Sequence, residues 1–205
     1  MSDETGSAPP LVLASASTTR AQLLTAAGVA FTTAVSAVDE DEIKRSMQSA
    51  GADAAAAADA LAEAKAARVS RRAPGALVIG ADQILECGGV WFDKPPDVDH
   101  ARAHLASLRG RSHQLATAVC VVRDGQRLWH HREAPRLTMR RFSDAFIESY
   151  LAAEGSSVLG SVGAYRLEGP GIQLFARIEG DHFSILGLPL LPLLDFLRGH
   201  GVVAR

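Results

Sequence analysis

Several features that would mark common functional classes are scarce or missing in this chain. The 205 residues carry a formal net charge of −2, so the sequence has no basic excess of the kind that binds nucleic acid non-specifically. No apolar run approaches the roughly 20 residues that a membrane-spanning helix needs. The first ten residues, MSDETGSAPP, are polar and acidic, unlike a signal peptide, and predict a disordered tail over 1–10. We therefore expect neither nucleic acid nor a membrane as a partner.

Cysteine is also scarce, and the common catalytic motifs built on Ser, Cys or a glycine-rich loop are missing. Only Cys87 and Cys120 occur, both in apolar, strand-like stretches. A disulfide between them stays open, but two reduced thiols in a cytoplasmic protein are the simpler interpretation. No GxxxxGKS or GxxxxGKT loop is present, and no Ser/His/Asp or Cys/His set is evident.

Lysine is the third scarce residue. The 21 basic residues comprise 18 arginines and only three lysines, Lys44, Lys65 and Lys94. A lysine kept in such an arginine-rich chain suggests a site that needs a compact point charge on a flexible stem. Lys65 lies in an alanine-rich segment, and Lys94 lies between Asp93 and Pro95. Chance explains the retention of three lysines equally well.

Strand-like and helical segments alternate along the rest of the chain. Apolar or alternating runs bounded by turn residues predict strands at 11–13, 31–38, 77–85, 114–122, 127–133, 135–142 and 173–178. Capping residues and helix formers predict helices at 17–27, 53–69, 97–110, 143–155 and 189–198. Alternation of this kind predicts an α/β fold with an antiparallel portion in its middle, formed by a single domain over 11–205.

The segment LVLASASTTRAQLL, residues 11–24, carries the most information about function. A short strand leads through a hydroxyl-rich turn into a helix, whose first N–H groups are unpaired and whose dipole end is positive. Such a turn suits an anion. Ser15 and Ser17 would add hydroxyl donors, and Arg20 would add a planar fork for phosphate. An ordinary helix capped by Ser17 explains this segment equally well.

Two acidic residues follow predicted strands. Asp82 comes after VIGA, at or near the exit of a buried strand, where open α/β sheets bind ligands. Glu40 lies in an acidic cluster after another predicted strand. Together the two carboxylates could share a hard cation such as Mg²⁺, which prefers oxygen ligands and bridges phosphates. A turn aspartate and a solvated acidic loop are the alternatives.

These residues belong to a series of motifs that resembles the Maf family, known as septum-formation inhibitor proteins and as nucleoside triphosphate pyrophosphatases. The resemblance extends from about residue 11 to residue 198. Its motifs, in chain order, are LASASTTRAQLL at 13–24, the acid pair at 39–40, LAEAKA at 61–66, IGADQ at 79–83, DKP at 93–95, LRGRSHQLATAV at 108–119, and GAYRLEGPGI followed by IEGDHFSILGLPL from 163 to 190.

The resemblance implies a two-lobed mixed sheet with flanking helices around a central cleft. It implies hydrolysis of a nucleoside triphosphate between its α and β phosphates, assisted by Mg²⁺ or Mn²⁺, and it makes a homodimer an expectation. Carried over by motif, the phosphate loop contains Ser17 and Arg20, the catalytic groups are Glu40, Lys65, Asp82 and Lys94, and the metal ligands are Glu40 and Asp82.

The positions that distinguish branches of the family give a mixed result. The branch that acts on dTTP and UTP usually has a second arginine, a threonine and a glutamine where this chain has Thr19, Gln83 and Glu168. Gln83 and Glu168 resemble the branch that acts on 7-methyl-GTP, which tends to carry an aromatic residue in place of Thr19. A carboxylate only accepts hydrogen bonds, and guanine's N1–H and N2–H₂ only donate. The expected function is therefore a pyrophosphatase acting on 7-methyl-GTP or another modified nucleotide. The alternatives are a dTTP/UTP pyrophosphatase and a non-catalytic, nucleotide-sensing regulator of septum formation.

Overall fold

A mixed sheet forms the centre of the computed structural model, which describes residues 8–204. The order along the sheet is β2-β1-β3-β5-β7-β8, with β4 added to β3 and β6 added to β5. The strands are β1 Leu11–Leu13, β2 Thr32–Thr33, β3 Leu77–Cys87, β4 Val90–Phe92, β5 Ser112–Arg123, β6 Gln126–Glu133, β7 Arg136–Met139 and β8 Phe175–Glu179. The first three strands are parallel and the other pairings are antiparallel, which confirms the predicted α/β class. The first seven residues of the predicted tail lie outside the described part of the chain.

The helices begin at the capping residues that the sequence contains. They are α1 Thr18–Ala26, α2 Glu40–Ser49, α3 Ala54–Ser70, α4 Val98–Leu108, α5 Asp144–Glu154, α6 His182–Ile185 and α7 Leu190–Gly199. All except α7 follow a serine or aspartate whose side chain accepts a backbone N–H of the first turn. The five helices predicted from the sequence are present, with ends displaced by at most two residues. Short 3₁₀ turns lie between residues 155 and 174.

The structure departs from the sequence analysis at one predicted strand and at two acidic positions. The strand predicted over 31–38 contains only Thr32–Thr33, because β1, its partner, is three residues long. The acidic cluster is not a loop: Asp39 caps α2, and the acids after it occupy the first turn, where the helix dipole favours them. Asp82 lies within β3, not at its exit, because β5 continues to pair with that strand as far as Glu86.

Apolar side chains pack on both faces of the sheet and divide one face into two lobes. The face that carries Val78 packs against α3. On the other face, Leu77 and Ile79 join a cluster with residues of α1 and α7, while Leu85 joins a second cluster with residues of α4 and α5. Gln83 lies between these two clusters along β3, which gives the two-lobed arrangement that the family resemblance implied.

A gap in the sheet opens next to Asp82. On one side β3 pairs with β5 from Val78 to Glu86. On the other side it pairs with β1 up to Ile79 and with β4 only from Leu85 onward. Residues 80–84 therefore have no neighbouring strand on that side among the described residues. The carboxyl end of β1 borders this gap, as expected for a ligand site in a parallel sheet.

Close packing of α3 on β3 brings its side chains to the edge of this gap. A Cβ atom at Gly80 would lie 2.0 Å from the carbonyl oxygen of Ala62 and 2.8 Å from the Cβ of Ala66. Only small residues permit this approach. The approach places Lys65, which is on the same face of α3 as Ala62 and Ala66, above Asp82.

Two further features of the structure concern the cysteines and the hydropathy of the helices. Cys87 and Cys120 are free and buried, and burial raises the pKa of the Cys120 thiol to about 12. Within residues 8–204, no helix is long and apolar enough to span a bilayer.

Candidate active site

The gap in the sheet leads into a cleft of about 840 Å³. This volume lies in the range of about 300–1,000 Å³ that is typical of small-molecule sites. Five parts of the chain line it: the β1–α1 turn with Arg20, the segment from Val35 to Lys44, the α3–β3 layer, the loop before α4, and both ends of the segment 160–187, called the glycine-rich region below. Segments that are far apart in the sequence therefore supply a single cavity.

The turn between β1 and α1 forms one wall and contains the three residues predicted to bind phosphate. Ser17 caps α1, and its hydroxyl accepts the backbone N–H of Arg20 at 3.3 Å. The Ser15 hydroxyl accepts the N–H of Ser17 at 3.1 Å and a guanidinium nitrogen of Arg20 at 3.3 Å. The Arg20 Nε also donates to the carbonyl oxygen of Gly187 at 2.7 Å, so the guanidinium is held against the glycine-rich region. Burial lowers the pKa of Arg20, while Asp82 and Glu40 act in the opposite direction.

An acid–lysine–acid group lies at the base of the cleft. The Lys65 ammonium contacts Asp82 Oδ1 at 2.5 Å and Glu40 Oε1 at 2.8 Å. Asp82 and Lys65 are almost fully buried, with 5% and 7% of their surface exposed. Glu40 is more exposed and comes from the first turn of α2. Helix α3 thus holds a cation between two carboxylates that come from different elements.

Lys94 and Lys44 also line the cleft. Lys94 makes no ion pair among the described residues. Burial and its neighbours Arg20 and Lys65 lower the pKa of Lys94, against the pull of Glu40 and Asp82. Such an ammonium, surrounded by other cations, is suited to receive an anion. Lys44, one turn after Glu40 on α2, contacts Asp93 Oδ1 at 2.5 Å.

The two predicted metal ligands, Glu40 and Asp82, fit a magnesium site that substrate would complete. Their carboxylates converge on the same lysine nitrogen, so the two oxygens lie close together. Within residues 8–204, no group of three or more His, Cys, Asp or Glu side chains is placed to hold a metal ion. Mg²⁺ is commonly held by one or two carboxylates together with water and substrate phosphates, which this pair could provide.

The three residues predicted to determine substrate specificity line one small pocket of about 50 Å³ next to the cleft. Thr19, Gln83 and Glu168 come from α1, β3 and the glycine-rich region, respectively. The pocket shares Thr19 and Gln83 with the cleft, together with Ser161 and Leu186, so the two cavities adjoin. Glu168 is exposed and has no hydrogen-bond partner within the described range. The pocket alone is too small for a ligand of ordinary size, and a base would also occupy the adjoining part of the cleft.

The side-chain amide of Gln83 is held in one orientation. Its Nε2 donates to the Thr117 hydroxyl at 2.8 Å and to the carbonyl oxygens of Ser184 and Ile185 at 3.0 and 3.2 Å. Backbone carbonyls only accept hydrogen bonds, so the nitrogen has to face them. The amide oxygen of Gln83 is left as the atom that can serve a ligand, and it can only accept.

Lys44 and Asp93 are the residues at this site that sequence reasoning missed. The scarcity of lysine already pointed to Lys44, but the residue belongs to no recognised motif. The structure brings all three lysines of the chain to one cleft. Asp93 belongs to the DKP motif, in which only the lysine was singled out.

Comparison with known proteins shows the family of the chain. A model of the family described as Maf-like proteins matches residues 10–200. A nucleoside triphosphate pyrophosphatase of Granulibacter bethesdensis is 60% identical over 93% of this chain and 96% of its own length. A protein of the same name from Paramagnetospirillum magneticum is 58% identical over 93% and 98%. A 7-methyl-GTP pyrophosphatase of Rhizobium meliloti is 49% identical over 95% and 98%. The chain belongs to the Maf family.

Proposed function

We propose that this protein hydrolyses a nucleoside triphosphate to the monophosphate and pyrophosphate, with 7-methyl-GTP as the preferred substrate. The general activity is that named for the relatives at 58–60% identity, and the 7-methyl-GTP specificity is that named for one relative at 49% identity. A single observation carries the proposal: a cleft rich in cations adjoins a pocket whose polar groups include Gln83 and Glu168. Reduced, buried thiols are consistent with a cytoplasmic nucleotide pool as the place of action.

The cations of the cleft would bind the triphosphate and stabilise its transition state. A polyphosphate repels an incoming nucleophile because it carries several negative charges. Arg20 and the N-terminus of α1 offer a fixed set of donors on one wall, and Lys94 offers a cation without an ion-pair partner among the described residues. Charges placed in advance in a partly dry cleft stabilise the negative charge that grows on the leaving pyrophosphate.

Asp82 would act on the attacking water. The water oxygen forms a bond to the α phosphorus, the bond from that phosphorus to the bridging oxygen breaks, and pyrophosphate leaves. Asp82 would orient the water and accept its proton, while the contact with Lys65 keeps the carboxylate in position. A divalent cation held by Glu40, Asp82 and the phosphates would supply charge neutralisation and polarise the phosphoryl oxygens.

The base pocket favours a nucleobase edge that donates hydrogen bonds. The Gln83 oxygen can only accept, because the nitrogen of its amide is already committed to three acceptors. The Glu168 carboxylate can also only accept. Guanine offers N1–H and N2–H₂ as donors, and the positive charge of 7-methylguanine adds an attraction to the carboxylate. Uracil and thymine present carbonyl acceptors on both sides of a single N–H, which these two groups match less well.

Pyrophosphate release from a panel of canonical and methylated nucleoside triphosphates, with and without Mg²⁺, tests this proposal. We expect 7-methyl-GTP to have the highest kcat/KM, and activity to require the divalent cation. We expect Glu168→Gln to lower the ratio of kcat/KM for 7-methyl-GTP to that for UTP by about tenfold or more, the worth of a hydrogen bond to a charged group. Glu179→Gln is the matched control, because Glu179 is exposed on β8 outside both cavities. An unchanged ratio in Glu168→Gln would refute the role of Glu168 in base recognition.

A further inference from the structure

Lys44 lies in the cleft, although no motif accounts for it. The cleft is lined by 24 residues, and these include every lysine of a chain that otherwise uses arginine as its cation. Lys44 follows Glu40 by four positions on α2, so both side chains project from the same face of that helix. Helix α2, which supplies Glu40 to the acid–lysine–acid group, therefore also supplies a further cation to the cleft.

The partner of Lys44 is an exposed acid. Asp93 precedes Lys94, and its side chain is 64% exposed, whereas that of Lys44 is 20% exposed. Burial alone would lower the pKa of Lys44, but the hydrogen bond to Asp93 and the nearby Asp82 and Glu40 raise it above its ordinary value. Lys44 is therefore a fully charged cation held by an acid that water already solvates. An ion pair of this exposure contributes little to stability, so exchanging its acceptor costs little.

The position of Lys44 relative to the base pocket indicates which part of a nucleotide it would meet. Lys44 and Asp93 line the cleft but not the small pocket that holds Gln83 and Glu168. Asp82 lines the cleft next to Gln83, which the two cavities share. A nucleotide with its base in the small pocket and its α phosphate at Asp82 would have its β and γ phosphates in the cleft, which Lys44 and Lys94 line.

We propose that Lys44 binds the β and γ phosphates of the substrate and, after cleavage, the pyrophosphate product. Asp93 holds the ammonium of Lys44 in place until a phosphate oxygen replaces the carboxylate as its acceptor. This inference rests on the proposed function for its substrate, but the binding of pyrophosphate itself does not depend on turnover. The role differs from that of a structural ion pair, in which both partners contribute alike.

Titration calorimetry of inorganic pyrophosphate at a fixed Mg²⁺ concentration tests the proposal, with a nucleoside monophosphate as the second ligand. We expect Lys44→Met to weaken pyrophosphate binding about tenfold, the scale of a charge-assisted hydrogen bond, and to leave the monophosphate affinity unchanged. Asp93→Asn should leave pyrophosphate affinity unchanged or increase it, because Lys44 is then released to the ligand. Lys44→Arg should restore most of the affinity. Arg45→Met is the matched control, since Arg45 lies next to Lys44 on α2 but does not line the cleft.

The two variants separate the outcomes. Equal weakening by Lys44→Met and Asp93→Asn would overturn the proposal and make the pair a structural tie between α2 and the segment before α4. Unchanged binding in Lys44→Met would also overturn it. If the wild-type protein releases no pyrophosphate from any triphosphate, yet binds pyrophosphate in a manner that requires Lys44, the proposed function fails and the role of Lys44 stands.

Discussion

Asp82 and Lys65 form an ion pair that stability alone does not explain. Burying two charges removes them from water, and their mutual attraction often fails to offset that penalty. A well-packed apolar pair of similar volume at these two positions would avoid that penalty. The ion pair also lines the cleft next to the exposed carboxylate of Glu40. These features fit a reactive group better than a structural one.

Substitution of Asp82 by asparagine separates chemistry from folding. Asn has the same shape but cannot accept a proton, so we expect kcat to fall by about 100-fold or more, the typical contribution of a general base. The ammonium of Lys65 keeps Glu40 as a partner at 2.8 Å, so the fold and nucleotide binding should remain measurable. Steady-state kinetics and calorimetry with a non-hydrolysable triphosphate check both parts.

Asp59→Asn is the control for burying an uncharged amide elsewhere. Asp59 is also buried and ion-paired, with Arg127 and Arg132, but it faces β6 and does not line the cleft. We expect the substitution Asp59→Asn to lower the thermal stability of the protein and to leave kcat nearly unchanged. A near-normal rate in Asp82→Asn would remove Asp82 from the mechanism.

The predictability of the site differed from residue to residue. Ser17 and Arg20 were found from the sequence because a strand, a turn and a helix start are local features, and local chemistry determines them. Lys94 was found because it stands in a recognisable motif. Lys44 could not be placed, since its function depends on the direction in which α2 leaves the sheet, and the sequence around it contains no signal for that direction.

At the scale of elements, the same limit applies to α2 itself. Its ten residues include only two apolar ones, Ile43 and Met47, which lie one turn apart and pack against the core beside α3, so the sequence offers a single helical repeat to read. The capping aspartate and the three acids of the first turn were the available signal. Helix α3 was predicted with ease, because alanine has the highest helix propensity and Asp53 caps it. Strand β4 and helix α6, three and four residues long, are too short for a period to be read.

The contact between α3 and β3 makes a testable link between packing and catalysis. Valine at Gly80 would force its Cβ to within 2.0 Å of the Ala62 carbonyl, so α3 has to move away from the sheet. We expect a loss of about 1–3 kcal/mol in the free energy of unfolding, the usual range for overpacking. Because Lys65 moves with α3, kcat should also fall. Denaturant unfolding and steady-state kinetics measure the two effects.

Gly199→Ala serves as the comparison for Gly80→Val. A Cβ at Gly199 meets nothing within 4 Å, and the residue ends α7 and does not line the cleft. The stability and activity of the Gly199→Ala variant should both stay close to those of the unchanged protein. If Gly80→Val loses stability but keeps its kcat, then the position of α3 does not control the Asp82–Lys65 contact.

At the scale of the whole molecule, the gap in the sheet joins fold and site. Alternating strands and helices predicted the α/β class, because this pattern is a property of the sequence. The gap depends on β1 ending beside Ile79 and β4 ending beside Leu85, and both are consequences of strand pairing. Local patterns do not reveal which strands will be neighbours, so the cleft was expected only from the resemblance to a family.

The stability of the whole molecule at low pH should depend on one buried histidine. His113 is 2% exposed, and its Nε2 hydrogen-bonds the hydroxyl of Tyr165, a residue that lines the base pocket. Its Nδ1 has no partner among the described residues. Burial lowers the pKa of His113 to about 4, from about 6.5 in an unfolded chain.

The folded protein therefore holds His113 neutral, while the unfolded chain takes up a proton as the pH falls below about 6.5. The stabilisation from the neutral ring is complete above that pH and is lost as the pH falls toward about 4. We expect this loss to approach about 3 kcal/mol, since each pH unit of difference contributes about 1.4 kcal/mol. Thermal unfolding between pH 4 and pH 8 should show His113→Gln to be less sensitive to acid, because a neutral amide can still bond Tyr165. The control is His100→Gln, on the exposed face of α4, whose stability should depend on pH as that of the unchanged protein does. If the stability of His113→Gln also falls with pH as steeply as that of the unchanged protein, then other groups cause the acid sensitivity.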